Sequence, residues 1–193
     1  MGKIKSAWEI ALEKTEDIVV DENKIRHNQK INSIRRAAGT FLISDSPDES
    51  KLKEDLSNYN ADELKEALTL NIINGLVLPS DIVSDDRFDR LKVLLSIISK
   101  NGNSIELFDR IVELLKQYPQ HKNQLTDQMK AQFEPMLREK EAQMKEQYGQ
   151  EVHLNLEEDK EFLQVARQNL EKLEGQYQQT LDGAKEQLKM LIG

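Results

Sequence analysis

The residues of this chain whose types and spacing could do chemistry are chiefly acidic. Asp85-Asp86-Arg87-Phe88-Asp89 sets carboxylates at i, i+1 and i+4. On a helix that spacing can point two of them the same way, and a magnesium ion bridging them would hold a diphosphate. The same residues have a reading that needs no ligand. Asp85 and Asp86 follow Ser84, a helix-capping residue type, so their charge complements the positive end of a helix dipole, while Asp89 can pair with Arg90 or Lys92.

The diphosphate spacing is similar to that of all-helical isoprenoid synthases. Those enzymes also carry a second acidic motif and a much longer helical body, and neither occurs here. The capping reading is therefore preferred. The three histidines, His27, His121 and His153, lie far apart without metal-ligand spacing, and no HExxH occurs. Gly39 is followed by Thr40-Phe41-Leu42-Ile43-Ser44, which lacks the second glycine and the lysine of a phosphate loop. There is no GxSxG elbow, and the acidic run Glu157-Glu158-Asp159 lacks the alternating ligands of an EF-hand. With no cysteine, disulfides, thiolate metal sites and thiol nucleophiles are excluded. No catalytic residue, cofactor or metal is expected.

Charge narrows the partners. Thirty-five acids against 27 bases leave a formal charge of −8. One basic cluster, Lys24, Arg26, His27, Lys30, Arg35 and Arg36, falls in a single predicted helix. No aromatic residues interleave with it to stack on bases, so a solvated face paired with nearby acids is expected, and nucleic acid is the weaker alternative. No window approaches eighteen apolar residues, and the first residues lack the apolar run of a signal peptide. A cytoplasmic chain with no membrane contact is expected.

The elements that must position these residues are helices. Charged residues make up 32% and aromatics 5%, with only 8 glycines and 4 prolines, a balance that favours long helices and short connections. The expected fold is all-α: N-terminal helices over 1–45, a compact helical bundle over 46–119, and a long helical hairpin or coiled-coil arm over 120–193. Ser6 caps a short helix carrying Trp8, and a second helix runs from Glu22 to Ile43. Ser46-Pro47 opens the next, and Asn60 with Glu63 forms a capping box. Asn74-Gly75 reads as a left-handed stop before an apolar connector, Leu76 to Pro79. Ser84 caps a helix that stops at Asn101-Gly102, and Asn103 opens another that stops at Pro119.

Beyond Gln120 the pattern changes. Leu125, Met129, Phe133, Met136 or Leu137, Met144 and Tyr148 make a loose stripe interrupted by Pro135. Asn155 with Glu158 then reads as the capping box of a last helix. Its apolar residues are Leu163, Ala166, Leu170, Leu173, Tyr177, Leu181, Ala184, Leu188 and Leu191. Steps of three and four along one narrow face describe a heptad seam, with a stutter at Tyr177 to Leu181. Such a seam meets another helix, either within the chain or between chains, and Leu173 stands near its middle.

The opening Lys5-Ser6-Ala7-Trp8-Glu9-Ile10-Ala11-Leu12-Glu13-Lys14-Thr15 and the Gln/Glu-rich helical end resemble those of small uncharacterised all-helical bacterial proteins. That resemblance implies no activity and no site residues. The expectation is a non-enzymatic interaction or scaffold protein, with a protein partner or a homo-oligomer joined through the C-terminal helices by coiled-coil or helix-in-groove contacts. A chaperone-like or stalk-like component of a larger complex is the alternative, and a nucleic-acid module built on 24–36 a weaker one.

Overall fold

A computed structural model describes residues 21–81, 86–149 and 153–193, all of it helix and connection, with no strand among the described residues. The expected helix around Trp8, the Ser84 cap and Asp85 lie outside these residues. Six α-helices follow in order: α1 (Glu22–Ile43), α2 (Glu49–Leu56), α3 (Ala61–Gly75), α4 (Asp86–Ile98), α5 (Gly102–Tyr148) and α6 (Lys160–Ile192). Among the described residues a 3-10 turn, Leu156–Glu158, stands between the last two. The chain is all-α.

Polar side chains set the helix starts. The Asp21 carboxylate accepts from the backbone N–H groups of Asn23 and Lys24 at the start of α1. Asn60 and Glu63 form the expected capping box at α3, each side chain accepting from the other's backbone N–H. At α2 the cap is Asp48 rather than Ser46: its carboxylate accepts from Lys51 N–H, which a serine two residues earlier cannot reach. At α5 the cap is Asn101, so Gly102, read from sequence as a stop, is the first helical residue.

Gly75 also has a different role from the one expected. It ends α3 without a positive φ; Gly149 is the only described residue with one. A Cβ on Gly75 would stand 2.6 Å from Leu91 Cδ2. The residue is small because α4 presses against the end of α3, and the turn itself places no demand on it.

The core is assembled from all six helices. Ile34 and Ala38 of α1, Leu52 and Leu56 of α2, Leu68 and Ile72 of α3, Leu94 and Leu95 of α4, Phe108 and Leu115 of α5, and Leu181 and Leu188 of α6 belong to one buried cluster. Helix α3 sits centrally, packed against α1, α4 and α6. The connector after it is split, with Leu76 fully buried and Val77 exposed. Ile25, nominally on the apolar face of α1, is also exposed, since the first turns of that helix run beyond the cluster.

Helix α5 continues through Pro119, where a stop was expected, and through Pro135, where a kink or a fresh start was expected and no fresh start occurs. Each proline lacks the N–H owed to the carbonyl four residues back and costs the helix about 3 kcal/mol in isolation. Packing on both sides offsets that cost. Pro119 is itself buried beside Tyr118, whose ring lies 5.1 Å from that of Tyr177 on α6. Around Pro135 the continuity comes from neighbours, with Met129 buried and Phe133 edge-on to Phe162 at 5.4 Å. At 1.5 Å per residue, α5 is about 70 Å long.

Candidate functional site: the helical arm

Two of these helices leave the core together. The buried cluster draws on α5 only as far as Leu115 and on α6 only from Leu181. Between those points the helices pack against each other as an antiparallel hairpin within one chain. The turn is local: Gly149 caps α5 in the left-handed conformation, Asn155 caps the 3-10 turn, and Asp159 caps α6 by accepting from Glu161 and Phe162 N–H. The last helix thus starts at Lys160, after the Asn155 box expected to open it. From Leu115 to Tyr148 the arm reaches roughly 50 Å.

The sequence seam faces this hairpin with a change of phase at each end, Ile192 being buried beside the half-buried Leu191 at the inner one. Leu181 and Leu188 are fully buried, and Ala166, Leu170, Leu173, Tyr177, Ala184 and Leu191 are half-buried. Leu163 is instead 48% exposed, and its neighbour Phe162 takes the inward place against Phe133. Phe162 stands four residues before Ala166, a step as helical as the three-residue step from Leu163. Spacing alone does not choose between them, and the ring partner does. The arm's methionine stripe divides likewise: Met129 is buried and Met136 is 44% exposed.

Polar contacts fix the register. Lys140 donates to Asp159 at 2.9 Å, and Glu141 accepts from Leu154 N–H at 2.8 Å. The Lys140 ammonium holds the Asp159 carboxyl below its usual value, helped by the backbone N–H of Phe162, and the carboxylate in turn raises Lys140. At the base, the Tyr177 hydroxyl and His121 Nδ1 share a hydrogen bond. Burial raises both Tyr118 and Tyr177, and the charge of Glu174 adds to the shift at Tyr118. Neutral phenols there suit packing.

The other sequence candidates disperse. Asp86 and Asp89 are exposed, and the described residues hold no acid or histidine group fit for a metal. Asp89 pairs with neither expected partner. Lys92 binds Asp109 at 2.7 Å, while Arg90 donates to the backbone oxygens of Leu42 and Ser44. Arg87 donates to Gly75 O at 2.7 Å. Neither α1 nor α3 has a basic residue in its last turn, so α4 supplies from outside the cations that complement both helix C-termini. Sequence reading missed this role because the carbonyls concerned lie 12 to 48 residues away.

The basic cluster of α1 splits. Arg26 pairs with Glu22, His27 with Glu66 and Lys30 with Glu63, as a solvated face should. The Lys30 hydrogen bond lowers Glu63, which is otherwise buried. Arg35 and Arg36 take no carboxylate among the described residues.

No described helix is long and apolar enough to cross a membrane. No curated protein and no solved structure matches the chain. The model of a family of unknown function (DUF6657) matches residues 53–190, from within α2 to the last turn of α6 and so including the whole arm. The chain belongs to that family.

Proposed function

We propose that this is a non-enzymatic interaction or scaffold protein, cytoplasmic in setting, that meets a helix of a protein partner or of a second copy through its arm. What carries the reading is the apolar surface left on the arm after the hairpin has closed: Met136 and Leu163 near its outer half, and Tyr148, 65% exposed, beside the tip. A two-helix hairpin half-covers its own seam, and a further helix laid along it would bury the remainder by knobs-into-holes packing. Tyr148 also favours the stalk-like or client-holding alternative, in which the tip makes the contact.

The hairpin changes which residue tests the idea. Leu173 is half-buried between α5 and α6, so an aspartate there would open the hairpin itself. Leu163→Asp reads the outer surface and should leave helicity by circular dichroism unchanged. The native chain is expected to run in solution as an oligomer or to recover a stoichiometric partner from cytosol, and Leu163→Asp to abolish that association. A chain that is monomeric and partnerless, or whose association survives both Leu163→Asp and Met136→Asp, contradicts the reading.

A further inference from the structure

The arginines of this chain fall into two groups. Arg26, Arg110, Arg138 and Arg167 each pair with a glutamate four residues away on the same helix. Arg35, Arg36, Arg87 and Arg90 meet no carboxylate among the described residues; Arg35 and Arg36 line one groove, and Arg87 and Arg90 donate to the backbone oxygens of Gly75 and Leu42, which line it too. That groove, about 620 Å³ and open to solvent, is lined by Asn32, Arg35 and Arg36 of α1, Leu42, and Asn71, Asn74 and Gly75 of α3. It contains no acidic side chain, in a chain of net charge −8.

We infer that this groove binds a single phosphate-type oxyanion, free or carried by a small molecule. Two guanidinium groups and the neighbouring asparagine amides offer forked and single N–H donors to a tetrahedral anion. The end of a helix is normally a poor place for one, because the dipole there is negative, and α1 and α3 both end at this groove. Arg90 on Leu42 O and Arg87 on Gly75 O set positive charge against those carbonyls from α4.

The surroundings limit the ligand to one anionic group. A nucleic-acid strand needs successive cations along its backbone. Here the next cations along α1, Lys30, His27 and Arg26, are each held by a glutamate. Lys24 lies about three turns further toward the start of α1, so the run of available cations is broken between it and Arg35. Asn71 is held in place by donating to Arg35 O, which ties the two walls together and leaves its amide beside the anion's position.

The test uses the full ¹⁵N-labelled chain and follows the Asn32, Asn71 and Asn74 signals while sodium phosphate, and separately pyrophosphate, replaces sodium chloride at constant ionic strength. Saturable shifts confined to these residues are expected with both probes. They should weaken roughly tenfold or more in Arg35→Gln/Arg36→Gln and persist in Arg110→Gln, which removes a paired arginine. Asn74→Ala, at an exposed position, should also weaken them and guards against misfolding of the double variant. Shifts that do not saturate, that chloride reproduces, or that survive both Arg35→Gln/Arg36→Gln and Asn74→Ala overturn the inference. So does an RNA oligonucleotide that binds more tightly than pyrophosphate with a salt dependence of several ions.

Discussion

The core and the arm are made from the same two helices and hold together differently. At the base of α6, Leu181 and Leu188 enter a cluster fed by every other helix and lose all contact with water. Some turns earlier, Leu170 and Leu173 have only α5 to face and remain half wet. Most of the arm's seam on α6 has a single facing helix and stays half wet, although Met129 and Phe162 are buried there. The same apolar pattern therefore carries large stabilisation at one end of α6 and modest stabilisation at the other. That leaves the arm an open surface, as a partner-seeking element requires.

The largest expected effect probes that gradient directly. Leu181→Ala should destabilise the chain by about 3–4 kcal/mol through a cavity with no route to collapse. Leu173→Ala should cost about 1 kcal/mol, because part of its surface is already solvated. Denaturant titration would measure both, and equal losses would break the contrast between core and arm.

Pro135 comes next, with the opposite sign. It is exposed inside a continuous helix, so Pro135→Ala should restore a backbone hydrogen bond and raise stability by about 2–3 kcal/mol. Thermal unfolding would show it. A fall in midpoint would mean that the proline is needed for the course of the arm.

Acid has the smallest effect and reaches both regions. Asp159, beneath the arm tip, is lowered from its ordinary 3.8 by Lys140, and Glu63, between α1 and α3, from 4.5 by Lys30. A lowered carboxyl binds fewer protons folded than unfolded. Its contribution is therefore complete above the ordinary value and is lost as pH falls through the lowered one. Unfolding midpoints followed from about pH 5 to pH 3 should drop more in the native chain than in Lys140→Met or Lys30→Met, whose carboxylates have lost their partners. Parallel curves would show that these contacts carry no linkage.

Some local signals in the sequence suffice by themselves, while caps with an adjacent polar competitor, such as Ser46 beside Asp48 or Asn155 before Asp159, and contacts with distant partners do not. The Asn60–Glu63 box and the extent of α1 follow from residues within a turn of one another. Pro119 and Pro135 misled because proline reports the isolated helix, while Tyr177 and Phe162, distant in sequence, decide whether the helix continues. The phase error at Leu163 has the same origin, since two adjacent apolar residues fit one stripe and only a facing ring selects Phe162. The groove of Arg35 and Arg36 was half visible as a basic cluster. What the sequence could not show was which of its cations find glutamates on α3 and which do not.

The central claim is that the arm closes on itself within one chain. Because the chain has no cysteine, Phe133→Cys/Phe162→Cys introduces a single candidate pair where two rings lie 5.4 Å apart. Under mild oxidation at high dilution, the account predicts an intramolecular disulfide, seen as a monomer of increased mobility on a non-reducing gel. Covalent dimers in its place, persisting as the protein is diluted, would mean that the seam pairs between chains.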